Sequence, residues 1–95
     1  MGYIWTRVVS DQVISKIPCN ISCIVITPDS SSNDADVTFY EGESSNDPKV
    51  FTLRSGAGVS GQWVFPVPLY MRRGFYVDIG KNVTEVLIQW ETCKS

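Results

Sequence analysis

The chain has 95 residues, a length that suits one domain, because chains divide into several domains only when they are considerably longer. Hydrophobic residues make up 43% and charged residues 19%, which is typical of a folded protein and not of a disordered one. The net charge of −2 disfavours a nucleic-acid binder with a dominant basic field, and the lack of histidine removes the commonest general base near neutral pH. We therefore expect a single domain over residues 1–95 that binds a partner and is not an enzyme.

The chain is rich in residues that favour β-strands. Only two alanines occur, whereas Val, Ile and Thr recur in nearly every segment. We predict strands over residues 3–9, 12–17 and 17–27, of which the last two can be continuous, with an end at Pro28. Alternation predicts that one face of the third strand carries Ile17, Cys19, Ile21, Cys23 and Val25, with Asn20 and Ser22 opposite.

Two polar turns frame the middle of the chain. Residues 29–36 contain no apolar side chain larger than alanine, and residues 42–48 contain no large apolar side chain. This polar composition predicts that both segments are surface turns. The strands 37–41 and 50–54 lie on either side of the second turn and are predicted to form a hairpin. Their inward side chains are predicted to be Val37, Phe39, Phe51 and Leu53.

The last third of the chain predicts three more strands. Pro66 and Pro68 cannot donate to a ladder, which places the strand over 62–67 at a sheet edge. A turn at 80–82 precedes the last strand, 83–92. The predicted inner rows are Trp63, Phe65 and Val67, then Phe75, Val77 and Ile79, and finally Val86, Ile88 and Trp90. Seven or eight short strands without a helical period predict an all-β fold, a small antiparallel β-sandwich or jelly roll.

The three cysteines are Cys19, Cys23 and Cys93. A disulfide-stapled scaffold uses more cysteines, and a tetrahedral zinc site would lack a fourth strong ligand. We interpret Cys19 and Cys23 as small buried hydrophobes, because they share parity in a strand. The alternative is one bridge from either of them to Cys93.

The charge is distributed unevenly along the chain. Residues 29–47 hold six carboxylates and no Lys or Arg. Clustered carboxylates can bind calcium through oxygen ligands, but this run lacks the ordered spacing and distal Glu of a calcium loop. We expect solvated turns, with no metal and no cofactor.

Two segments are candidates for partner binding. The first is Tyr3, Ile4 and Trp5, because three large apolar residues near a terminus are costly to leave in water. The second comprises Tyr70, Arg72 and Arg73, residue types that are enriched at interfaces. The alternatives are an ordinary first strand with Tyr3 and Trp5 packed inward, and arginines that are solvated surface charges.

Two other functions have weaker support in the sequence. A sugar-binding platform would draw on the aromatic residues Trp5, Tyr40, Trp63, Tyr70 and Tyr76, although aromatic residues of small β domains mostly belong to the core. A glycosidase-like enzyme would need paired carboxylates. The carboxylates on or beside strands in the second half are Asp78, Glu85 and Glu91, and alternation places the last two outward.

Four segments carry a resemblance to a known group of proteins. They are Cys19-Asn-Ile with Ile24-Val-Ile-Thr27, Val37-Thr-Phe-Tyr-Glu-Gly42, Phe65-Pro-Val-Pro-Leu69 and Gly74-Phe-Tyr-Val-Asp-Ile79. In the spacing of strands and turns, residues 13–90 resemble the small β-sandwich proteins on the virions of tailed bacteriophages. This group includes capsid decoration (cement) proteins and head-fibre or tail modules. The resemblance contains no catalytic fingerprint and no residue-level binding motif.

The resemblance implies a structural protein that binds the outer capsid lattice and stabilises it. The implied partner is the major capsid protein or another virion protein, with self-association, often into a trimer, and no nucleic acid or membrane as partner. The implied location is the capsid surface of a virion assembled in a bacterial cytoplasm. The alternative is a carbohydrate- or receptor-binding β-sandwich module of a phage fibre or tail.

Overall fold

The β-favouring segments of the sequence form strands in the computed structural model, which describes residues 3–29 and 33–92. None of these residues lies in a helix. The strands are β1 (Ile4–Val8), β2 (Gln12–Ser15), β3 (Cys19–Pro28), β4 (Ala35–Tyr40), β5 (Lys49–Ser55), β6 (Gly61–Met71), β7 (Phe75–Ile79) and β8 (Val83–Thr92). The predicted strands are confirmed, with ends that shift by a few residues.

The strands form two antiparallel sheets of four strands each. The first sheet has the order β1-β8-β3-β6 and the second has the order β2-β7-β4-β5. The first strand pairs with the eighth, the second with the seventh, the third with the sixth and the fourth with the fifth. This nesting describes a long double ribbon rolled into two facing sheets, which is a jelly roll. Because β2 and β3 belong to different sheets, they are not one continuous strand.

The core lies between the two sheets. In the second sheet, the ring of Phe39 stacks on Phe75 with centroids 5.3 Å apart, and Phe51 makes an edge contact with Phe39 at 5.4 Å. Trp90 packs against the core from the first sheet and donates its indole N–H to Thr6 Oγ1 at 2.8 Å. The predicted inward residues of β4, β5, β7 and β8 are confirmed as core or core-packing residues.

One predicted face is wrong, and a β-bulge in β3 is the reason. Alternation put Cys23 and Val25 on the same face as Ile21. The pairing with β8 shifts register between Ile21 and Cys23, and one extra residue reverses the parity of everything that follows it. Ile24 and Ile26 therefore face the core, where both are fully buried, and Val25 lies on the outer side.

A larger irregularity interrupts β6. Residues 65–68 lie opposite the single residue Ser22 of β3, so they have no cross-strand partners of their own. The two prolines in this stretch, which lack a backbone N–H, therefore interrupt no ladder hydrogen bond. The predicted position at a sheet edge is confirmed. Trp63 and Phe65 pack against the core as predicted. Val67 does not, and is 79% exposed, because the bulge turns it away from the inner face.

Both described cysteines are buried, as predicted. Cys19 is fully buried and belongs to the core cluster. Cys23 lies on the outer side of the sheet beyond the bulge, where its neighbours cover it, and it forms no disulfide. Ile17, predicted to share their face, precedes β3 and is 53% exposed. The predicted alternative of a bridge to Cys93 falls outside the described residues.

Candidate interaction surface

Several apolar side chains lie on the outer side of the first sheet. Residues paired directly across antiparallel strands share a face, and one row runs Trp5, Gln89, Cys23 and Val64. The next row runs Arg7, Leu87, Val25 and Gln62. We term the apolar members of these rows the apolar face: Trp5, Cys23, Val25, Val64 and Leu87. Trp5 is 52% exposed and Val64 is 63% exposed, so much of this surface contacts water.

Polar groups lie at the border of the apolar face and within it. Arg7 forms an ion pair with Glu85 at one border. Ser22 donates its hydroxyl proton to Gln89 Oε1 at 2.7 Å, which fixes an amide side chain between Trp5 and Cys23. Protein interfaces commonly contain such hydrogen-bonded polar groups beside apolar side chains.

The topology brings the predicted contact residues to one end of the first sheet. Ile4 pairs with Trp90 at the end of β8, and Ile21 near the start of β3 pairs with both Trp90 and Leu69 near the end of β6. The start of β1 and the end of β6 therefore lie at the same end of the sheet, at its two opposite edges. The predicted residues at this end are Tyr3, Ile4, Trp5, Tyr70, Arg72 and Arg73.

The first of these segments is exposed. Ile4 is 54% and Trp5 is 52% exposed, and Tyr3 is 36% exposed. The alternative in which Tyr3 and Trp5 pack inward is wrong for Trp5, because the ladder puts it opposite Gln89 on the outer side. The inner side of β1 carries Val8, which is fully buried. Tyr70, at the far edge of the same sheet, is 55% exposed.

Arg72 and Arg73 form the turn between β6 and β7, and both are exposed. The Arg72 backbone N–H donates to Glu41 Oε2 at 2.7 Å, which ties the turn to the end of β4. Gly74 has a φ of 106°, and a Cβ there would lie 2.3 Å from the Ser15 carbonyl oxygen, so the turn requires glycine. Within residues 3–29 and 33–92 neither guanidinium forms a salt bridge.

The acidic side chains of the loops act as acceptors for backbone amides. Asp47 Oδ2 accepts from the N–H groups of Glu43 at 2.8 Å and Ser44 at 3.1 Å. The same kind of bond joins distant segments: Asp11 to Ile79 at 2.7 Å, Asp34 to Ala57 at 3.0 Å and Asp36 to Lys81 at 2.9 Å. This role was not predicted from the sequence. Its only signal there is the occurrence of Asp and Asn in turns, where their side chains commonly bond to backbone groups. In the described part of the chain no three potential metal ligands cluster.

The outer side of the second sheet is polar. Tyr40 pairs with Tyr76, their ring centroids lie 6.1 Å apart, and the rings are tilted by 53°. In the adjacent row Thr38 pairs with both Asp78 and Thr52, and the two threonine Oγ1 atoms are 3.0 Å apart. We term these five residues the polar face. Hydroxyl groups, a carboxylate and two aromatic rings are thus presented together.

The pKa values of two groups of the polar face, Asp78 and Tyr76, are raised. Burial is the main cause that raises the pKa of Asp78, followed by the charge of Asp11 and a hydrogen bond between these two carboxyl groups. Burial also raises the pKa of Tyr76, with smaller contributions from Asp11 and Asp78. Burial first, and the neighbouring carboxyl groups second, thus favour the protonated, neutral forms of Asp78 and Tyr76.

The residues of the two weaker predictions do not converge. Asp78 lies on β7 of the second sheet, whereas Glu85 and Glu91 lie on β8 of the first. The aromatic residues proposed for a sugar platform are divided in the same way. Trp63 packs against the core, Trp5 and Tyr70 belong to the first sheet, and Tyr40 and Tyr76 form a pair on the second.

Comparisons of this chain with models of protein families, with curated proteins and with solved structures find no match. No helix long and apolar enough to cross a bilayer occurs among the described residues.

Proposed function

We propose that this chain is a structural protein of a virus particle, which attaches to the outer capsid lattice and stabilises it. The observation that carries the proposal is the apolar face on the outer side of the first sheet. The mechanism is binding: the chain adds buried area between capsid subunits and so strengthens a shell under internal pressure.

The apolar face supports a partner because an outer sheet face normally meets water. In antiparallel sheets one side packs on the core and the other is polar. Trp5 and Val64 are exposed, and Val25 and Leu87 lie in the adjacent row, so four apolar side chains occupy a face where polar side chains are expected. Such patches on soluble proteins mark interaction sites. A partner that covers this surface would remove the free-energy cost of exposing these apolar side chains to water.

The fold agrees with the proposal at the level of analogy. Eight-stranded jelly rolls occur in viral capsid proteins and in lectins, and one fold serves several functions. A specific interface buries on the order of 1,600 Å² in total, or about 800 Å² on each partner, which is roughly 15% of the 5336 Å² of accessible area of this chain. The exposed Arg72 and Arg73 at the end of the sheet would then steer association, since rim charges govern encounter rates.

The experiment uses virus particles of the source from which the protein has been removed. The purified chain is added back, and its binding and the thermal release of packaged DNA are measured. We expect saturable binding and a higher release temperature. Val64→Lys on the apolar face should abolish binding, and the Arg72→Ala and Arg73→Ala double substitution should weaken it without changing the melting temperature of the isolated chain.

Thr52→Lys on the opposite sheet is the matched control, because Thr52 is also exposed in mid-strand. It should bind as the unaltered chain does. The proposal is wrong if an antibody against the chain finds none on purified particles. It is also wrong if Val64→Lys binds normally. If the double Arg variant melts early and binds normally once folded, the arginines have a structural role and not a contact role.

The Tyr40–Tyr76 pair favours a second candidate, a carbohydrate-binding module of a fibre or tail. Sugar rings bind proteins by stacking on aromatic faces while their hydroxyls bond to polar groups, and the polar face offers both. Titration with a panel of oligosaccharides, followed by tyrosine fluorescence and NMR, tests it. Tyr76→Ala should remove the response, and Tyr70→Ala on the other sheet should not. A panel without any response contradicts this candidate.

A further inference from the structure

The outer edge of β1 lacks the bulges and prolines that interrupt an edge strand. All five residues of β1 pair with β8 in regular register, with no bulge and no proline. On its other side β1 has no strand partner within residues 3–29 and 33–92. An open, regular edge presents backbone donors and acceptors to any further strand.

The other three edges are protected. β6 carries two prolines and the 65–68 bulge. β2 has four residues and a register shift between Val13 and Ser15. β5 carries Lys49 and Arg54, and its pairing also shifts register near one end. Prolines, bulges, short length and charges are the known devices that keep sheet edges from pairing. β1 is also short and carries Arg7, but that side chain is paired with Glu85, and among the edges of the described residues only β1 has an unbroken register. β1 is therefore the edge suited to accept a strand.

We propose that β1 pairs antiparallel with β1 of a second copy of this chain. The result is a two-fold dimer in which two first sheets join into one continuous sheet. The proposal rests on the β1 edge and does not require the proposed virion function.

The sequence of β1 is complementary to itself in this arrangement. When the pairing is centred on Thr6, Trp5 of one copy lies directly opposite Arg7 of the other, on the outer side. A guanidinium beside an indole ring is a favourable contact. On the inner side Ile4 lies opposite Val8 of the second copy. The exposed Ile4 and Trp5 thereby both gain cover, which is the reason to assign a second copy and not another protein.

Two-fold pairing of one strand closes the assembly at two copies. It therefore replaces the trimer that the resemblance implied with a dimer. Five paired residues in each copy make a small interface, at the low end of the range for specific contacts, so we expect dissociation in the micromolar range or weaker. The two apolar faces would lie side by side on the joined sheet and bind a repeating surface at two points.

Sedimentation equilibrium over a range of concentrations tests the dimer. We expect a mass that rises from one chain to two. Trp5→Lys should raise the dissociation constant about tenfold or more, because it replaces the ring that faces Arg7 with a second positive charge. Val64→Lys is the matched control: it lies in the same cross-strand row, at the opposite edge, and should leave the dimer intact. Circular dichroism verifies that both variants fold.

Hydrogen exchange locates the interface. Those backbone amides of Ile4–Val8 that point away from β8 should become more protected as the concentration rises, and the amides of β5 and β6 should not. A monomer at all concentrations, a mass of three chains, or a dimer that survives Trp5→Lys would each overturn the inference. Protection that rises at another edge would also overturn it. Because Val64→Lys separates attachment from dimer formation, failure of the virion proposal and failure of the dimer are distinguishable.

Discussion

The outer faces of the two sheets cover opposite sides of one core, yet they differ in chemistry. The apolar face of the first sheet presents an indole and aliphatic groups, and its thiol, that of Cys23, is covered by neighbouring side chains. The polar face of the second sheet presents hydroxyls, two phenols and a carboxyl group of raised pKa. Both are built on antiparallel strands of similar β-propensity, so backbone structure does not explain the difference.

The difference between the two sheets is visible in the sequences of their strands, because burial on one face or on both gives different patterns of apolar residues. β3 contains the unbroken run Cys23, Ile24, Val25 and Ile26, whereas β4 alternates buried and half-buried residues from Ala35 to Tyr40. Continuous apolar runs are typical of strands covered on both faces, and alternation is typical of strands with one wet face. The run in β3 is thus the pattern of a strand whose outer side the proposed partner would cover, and β4 has the pattern of a strand with one face in water.

The largest expected effect removes the core that supports both faces. Phe39→Ala deletes a fully buried ring that contacts Phe51 and Phe75. The cavity should cost about 3 to 5 kcal/mol, against a total stability of about 5 to 10 kcal/mol for a domain of this size. Urea unfolding measures the loss. A cost below about 1 kcal/mol would mean that the aromatic cluster does not anchor the second sheet.

A pair of isosteric substitutions sharpens the comparison. Val64→Thr makes the apolar face more polar, and Thr52→Val makes the polar face less so, although it also removes the hydroxyl that meets Thr38. Each should change stability by about 0.5 kcal/mol or less, because both positions are exposed. Retention on a hydrophobic column should fall for Val64→Thr and rise for Thr52→Val. Equal retention of Val64→Thr and the unaltered chain would argue that the apolar face is already covered.

Acid–base behaviour should distinguish the polar face. Since the folded pKa of Asp78 is raised, its proton stabilises the fold below the unfolded pKa of about 3.9, and this stability is lost as pH rises through the folded pKa. Asp78→Asn should therefore reduce the loss of stability above pH 4 and raise the melting temperature slightly at pH 7. Thermal unfolding from pH 3.5 to pH 7 measures both effects. Thr52→Val keeps both carboxyl groups and serves as the control.

The smallest expected effect is that of a chelator. The loop carboxylates Asp34, Asp36 and Asp47 already accept backbone N–H groups. EDTA should therefore leave the melting temperature unchanged. A fall of more than about 5 °C, which corresponds to roughly 1 kcal/mol in a domain of this size, would show that these loops hold a metal ion. Asp47→Ala should lower the melting temperature whether or not EDTA is present.

The sequence by itself determined the class of fold and most of the strands. Val, Ile and Thr in short alternating runs, separated by Gly, Pro, Asn and Asp, predict β-strands and turns because these preferences act over a few residues. The inner rows of β4, β7 and β8 followed from simple alternation, as Phe39, Val77 and Ile88 illustrate. The edge position of β6 followed from its prolines.

Tertiary structure alone decided the remaining features. The bulge between Ile21 and Cys23 exchanges the two faces of β3, and its position depends on the register with β8, which is more than sixty residues away in sequence. The order of strands puts Trp5 and Val64 in one row and leaves β1 at an open edge. Local preferences cannot encode these contacts, because a sheet joins distant segments through backbone bonds common to every residue.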